Sequence, residues 1–168
     1  NVRCFRMKIF NILILISIIP LVGVMLLILI PGRYNSYCFN AALFISSLTF
    51  ILSLIMWLIF DSGHNSFQFL CTIDWLPAFN FYYTVGVDGI SLFFLILTTF
   101  LIMVCVLISW GSINYRLKEY LINFLLLEFL LIQVFSVLDL LLFYVFFESI
   151  LMPMFLIIGI WGSRERKI

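Results

Sequence analysis

The chain has 168 residues and a net charge of +1, and it is 65% hydrophobic but only 10% charged, with a mean hydropathy of +1.27. A water-soluble domain carries roughly 45–50% apolar and about 25% charged residues because water must wet its surface. A soluble globular domain is therefore excluded, and lipid is the solvent for most of the chain.

A membrane helix needs about 20 apolar residues to cross a core about 30 Å thick. Five segments reach that length, predicting an all-α, polytopic membrane protein with the whole chain, 1–168, as one membrane domain. The first segment covers about 9–30, bends at Pro20 and stops at Pro31-Gly32, a strong terminator pair. The second covers about 41–60 and ends at Asp61-Ser62-Gly63. Residues 61–88 read as a polar interfacial loop, in which His64, Asn65, Gln68 and Asp74 are interleaved with Trp75, Tyr82 and Tyr83. Aromatics of this kind suit the headgroup level. The third helix covers 89–110, with Asp88 as the N-cap of Gly89-Ile90-Ser91. A short loop with Arg116 and Lys118 leads to the fourth helix at about 120–137. The fifth covers about 139–161 and is followed by a charged tail.

Positive charge sets orientation. Arg3, Arg6 and Lys8 fall on the N-terminal side, and Arg33, Arg116, Lys118, Arg164, Arg166 and Lys167 on the other. The second side is expected to face the matrix or cytoplasm, with the N-terminus outside. The 20 phenylalanines, against alanine only at 41, 42 and 78, run counter to helix propensity. AT-rich codons of an organellar gene would account for that bias. No cleavable leader is evident, and Asn1 in place of Met suggests that residues precede it.

Nucleic acid is not an expected partner, since no basic aromatic stripe accompanies the small net charge. Cys4, Cys38, Cys71 and Cys105 form no CxxC pair, so neither a zinc site nor a redox dithiol is expected. His64 is the only histidine and lies in a loop, which excludes a haem anchored within the helices. No nucleotide-binding or hydrolase motif occurs. No cofactor and no metal is expected on this chain.

Two acids fall within predicted membrane helices, Glu128 in the fourth and Glu148 in the fifth. An ionisable group at the bilayer centre costs roughly 2.5–3.5 kcal/mol or more on insertion scales. With a turn near Leu138, both lie about 15 Å from that turn, half of a 30 Å core. Whether they face each other cannot be read from depth. Glu148 is the principal candidate for a proton site and Glu128 a second. The bland alternative for each is a glutamate that stays protonated and donates one interhelical hydrogen bond. Pro153 leaves the carbonyl of Ser149 without its helical partner, which fits either a hydrated kink or a simple packing bend. Asp139 reads as a helix cap more than as a chemical group, and Arg116 and Lys118 as topology and lipid-contact residues more than as a relay.

At the third and fifth helices the sequence resembles a known family. Gly86-Val87-Asp88-Gly89-Ile90-Ser91-Leu92-Phe93-Phe94 looks like the entry to the third helix of the antiporter-like subunits of respiratory complex I. Leu138-Asp139-Leu140-Leu141-Leu142-Phe143-Tyr144-Val145-Phe146-Phe147-Glu148-Ser149 resembles that family's fifth helix, as do Met152-Pro153-Met154 and Gly159-Ile160-Trp161-Gly162-Ser163. The resemblance covers about 67–168, and the first two helices fit by position and hydropathy. It implies a proton-pumping module in which Glu148 stands at the key proton-channel position and Asp139 at the head of that helix. It also implies the mitochondrial inner membrane, with the N-terminus in the intermembrane space. Family members have about fourteen helices, built from inverted five-helix repeats. This chain would supply only the first part, without the channel lysine of the seventh helix. The expected partners are other complex I membrane-arm subunits, a separate chain with the remaining helices, and lipids. A subunit of a related multi-subunit cation/proton antiporter and a non-catalytic membrane anchor are the alternatives.

Overall fold

The computed structural model describes residues 2–32, 35–61, 63, 66–76, 81–113 and 115–162, with side chains placed outside 2–11, 73–76 and 81–82. Five helices carry the fold: α1 (Val2–Leu29), α2 (Asn35–Ile59), α3 (Gly89–Ser112), α4 (Leu117–Ser136) and α5 (Leu140–Trp161). Each is long and apolar enough to cross a membrane. The all-α plan therefore holds for the membrane body, and the protein is a multi-pass membrane protein.

The helix ends follow local chemistry. α3 starts at Asp88, whose side chain accepts from the Gly89 N–H while its own N–H donates to Ser91 Oγ at 2.7 Å, closing a capping box. At the other end of α3, Trp110 leaves helical geometry and Gly111 takes φ +84°, a left-handed conformation open to glycine. α5 starts at Asp139, whose Oδ1 accepts from the Leu141 N–H at 2.8 Å. α1 has no basic residue in its last turn. Lys118 of α4 supplies one instead, donating to the carbonyls of Ile28 (2.9 Å) and Ile30 (2.7 Å). That places an ammonium on the negative end of the α1 dipole.

The region read as a polar loop, 61–88, is corrected by the structure. Most of it folds into an antiparallel hairpin of β1 (Gln68–Leu76) and β2 (Phe81–Val87). In β1, buried Phe69 and Cys71 alternate with outward Leu70 and Thr72, as a half-buried strand requires, and Val85 and Val87 of β2 also enter the core. β2 also reaches the α4–α5 connection. Val85 bridges Val137, and the Leu138 N–H donates to the Thr84 carbonyl at 2.9 Å. His64, Arg33, Arg164, Arg166 and Lys167 lie outside the described residues, as do the side chains of Arg3, Arg6 and Lys8.

The interior is layered along the helix axes. One apolar cluster, next to the hairpin, joins Leu13, Ile16, Met56, Leu92, Leu95 and Ile132 to the buried strand residues. A second, at the opposite end, holds Val24, Leu27, Ile45, Ile102, Leu121 and Leu125. α1 and α2 approach closely here: a Cβ on Gly23 would stand 2.9 Å from Ile45. Along α1, α2, α3 and α4, buried polar residues fall between the two clusters, namely Ser17, Ser46, Thr49, Ser53, Thr98, Thr99 and Glu128. The layout is oil, polar layer, oil.

Candidate functional site

α2 presents Ser46, Thr49 and Ser53 to the interior at spacings of three and four, one helical face. All three are fully buried. The Thr49 hydroxyl lies 2.5 Å from Glu128 Oε1 and 2.8 Å from the Ser46 carbonyl. One turn further along, Ser53 Oγ and Thr99 Oγ1 of α3 are 3.0 Å apart. Glu128 is 0% exposed. Its Oε2 is buried with no hydrogen-bond partner among the described residues.

Glu148 stands in different surroundings. α5 packs along one edge against α4, with Phe129 and Phe146 in a T-shaped contact. Only 11% of the α5 span is buried, against 33–44% for the other helices. Glu148 is exposed in this chain, and no described residue hydrogen-bonds it. It lines an open groove of about 470 Å³ with Leu126, Phe129 and Leu130 of α4, and with Ser149 and Pro153 of its own helix. The expectation of a buried Glu148 is thus not met by the chain's own helices, because α5 has neighbours on one side only.

The two acids share a depth but not a direction. Each lies ten residues from Leu138 on helices that pack together. On α4, positions 126, 129 and 130 are rotated roughly 100–200° from 128 at 3.6 residues per turn. Glu128 therefore points to α2, while Glu148 borders the opposite side of α4. Asp139 does not join either acid; it caps α5. Arg116 pairs with Glu119 at 3.4 Å at the exposed start of α4. The hydroxyls of α2 and α3 were not singled out from sequence. Their signal was available, as three polar residues on one face of an otherwise apolar helix.

A second polar contact sits at the hairpin, where the Tyr83 hydroxyl donates to Gln133 Oε1. Burial, and then the neighbouring Cys71, push the Tyr83 hydroxyl up to about 12. Cys38, Cys71 and Cys105 are free thiols. Among the described residues no group of three His, Cys, Asp or Glu could hold a metal ion.

Comparison with known proteins settles the family. No family model matches the chain. NADH-ubiquinone oxidoreductase chain 4 of Chondrus crispus is 63% identical over 163 residues, covering 97% of this chain and 33% of that protein. Its counterpart from Arabidopsis thaliana is 52% identical over 149 residues, 89% of this chain and 30% of that one. The chain belongs to the NADH-ubiquinone oxidoreductase chain 4 family. It spans about a third of the length of the chain 4 relatives it matches. A structure titled respiratory complex I from Thermus thermophilus with bound NADH contains a chain of the same fold, at TM-score 0.73 and 27% identity. That match covers 89% of this chain and 29% of the other.

Proposed function

We propose that this chain supplies helices α1–α5 of a proton-translocating membrane-arm subunit of NADH:ubiquinone oxidoreductase, in the mitochondrial inner membrane with the N-terminus toward the intermembrane space. Glu148 receives and releases the transported proton in a half-channel between α5 and helices contributed by the remainder of that subunit. Other membrane-arm subunits and lipids complete the surroundings. Electron transfer takes place elsewhere in the assembly, and this chain's part is to hold and pass protons.

The observation that carries this reading is the exposure of Glu148 on the uncovered face of α5, beside Ser149 and Pro153. A carboxylate at half depth facing lipid is costly, and such groups nearly always face protein or a water-filled cavity. The bare α5 face is therefore one that other helices cover, and Glu148 lies in the joint. Pro153 lacks an N–H for the Ser149 carbonyl, which leaves an acceptor for water on the residue next to the acid.

The test is NADH-dependent ubiquinone reduction by the purified assembly containing this chain, reconstituted into vesicles. Proton uptake that starts with NADH and stops when ubiquinone is exhausted is expected. Proton movement driven by a cation gradient, with no response to NADH, would instead identify a cation/proton exchanger.

A further inference from the structure

The buried polar layer contains a proton-counting constraint. Thr49 has one hydroxyl hydrogen but two acceptors within reach, the Ser46 carbonyl at 2.8 Å and Glu128 Oε1 at 2.5 Å. A carbonyl oxygen only accepts. When Thr49 donates to Ser46, its contact with Glu128 is a hydrogen bond only if the carboxyl group provides the hydrogen. The other hydroxyls also lie over carbonyls of their own helix, Ser46 donating to Leu43 (3.2 Å) and Ser53 to Phe50 (2.7 Å). Thr99 lies near the carbonyls of Leu95 and Ile96. Thr49's single hydrogen is thus shared between two acceptors unless the carboxyl group brings one of its own.

Charge points the same way. Among the described residues no basic side chain borders Glu128. Lys118 sits ten residues earlier on α4, about 15 Å along the axis, and is held by the α1 carbonyls. Glu148 is on the other side of α4. An ionised carboxylate here would be fully buried with one oxygen unpaired and no countercharge, the arrangement proteins avoid. A neutral acid fits: its hydrogen goes to Thr49, and the unpaired Oε2 is then a carbonyl-type oxygen with no charge to balance.

We propose that Glu128 is a second proton-binding site of this chain, a neutral carboxylic acid that holds an exchangeable proton against Thr49 between α2 and α4. It lies at the depth of Glu148 on the opposite side of α4, so the chain carries two proton positions separated by one helix. The Glu128 site does not depend on the role given to Glu148.

Infrared spectroscopy of the purified assembly tests this. The expected result is a carbonyl stretch of a protonated carboxylic acid that disappears in Glu128→Gln and persists in Glu148→Gln. It should shift in D2O, and shift again in Thr49→Val, which removes the hydroxyl with little change of shape. A band that survives Glu128→Gln, with no band lost, would overturn the proposal, as would a band that never shifts in D2O. Where Glu128→Gln fails to assemble, Thr49→Val alone decides: an unmoved band contradicts the proposal. Loss of pumping in Glu148→Gln has no bearing on this band, so the two readings fail separately.

Discussion

α4 and α5 are neighbours of similar length, each with a glutamate ten residues from their shared turn, yet they stand in opposite circumstances. α4 is enclosed by α1, α2 and α3, and its acid is fully buried against a threonine. α5 touches α4 along one edge and leaves its acid exposed. The difference shows what this length of chain completes by itself: a four-helix packing unit with a closed polar layer, and a fifth helix packed along one edge. An acid's depth in the membrane therefore says little about its environment. The faces of its helix and their neighbours decide that.

Substitutions can break the comparison. The largest stability effect is expected on the closed side. Glu128→Ala removes the Thr49 contact and opens a cavity, costing about 2–4 kcal/mol, whereas Glu148→Gln, which keeps the side chain's shape, should shift stability by about 0.5 kcal/mol or less. Thermal unfolding of the detergent-solubilised assembly would check both, and equal losses would contradict the contrast. Lys118→Met, which uncaps α1 while keeping the apolar stem, should cost about 1–2 kcal/mol. Unfolding midpoints against the conservative Lys118→Arg would read it.

A smaller loss than that at Lys118 concerns the joint between the hairpin and α4. Tyr83→Phe should cost about 0.5–1.5 kcal/mol through the lost hydrogen bond to Gln133. Because folding raises the Tyr83 hydroxyl from its ordinary 10.0 to about 12, the protonated form is favoured in the folded state. Its contribution is fully present below pH 10 and is lost as pH rises toward 12. An ultraviolet pH titration should lose one late-ionising tyrosine in Tyr83→Phe.

Much of the fold was legible in the sequence because each membrane helix must be long, apolar and terminated. Pro31-Gly32 and Asp88 marked their boundaries for that reason, and Asp139 read correctly as a cap. The hairpin was not legible. Its polar and aromatic residues suited an interfacial loop equally well, and the buried set Phe69, Cys71, Val85 and Val87 becomes a pattern only once the strands pair. The extension of α2 back to Asn35 was likewise missed, since Asn35, Ser36 and Asn40 are poor membrane residues but acceptable at a helix end.

For the acids, depth could be derived from the turn, but rotation could not. Facing depends on which side of α4 the other helices occupy, and no local signal fixes that. The polar stripe Ser46, Thr49 and Ser53 was the missing clue. An interhelical hydrogen bond in a membrane is worth about 0.6 kcal/mol on average, up to about 1.7, enough to favour a helix rotation that joins such a stripe to a buried acid.

The most direct measurement is proton uptake by vesicles containing the assembled complex with Glu148→Gln, recorded together with NADH oxidation. The account predicts normal assembly and a loss of proton translocation on the order of a hundredfold, since Gln retains the shape of Glu but cannot exchange a proton. Uptake at the unsubstituted level would show that the open face of α5 is a packing surface alone.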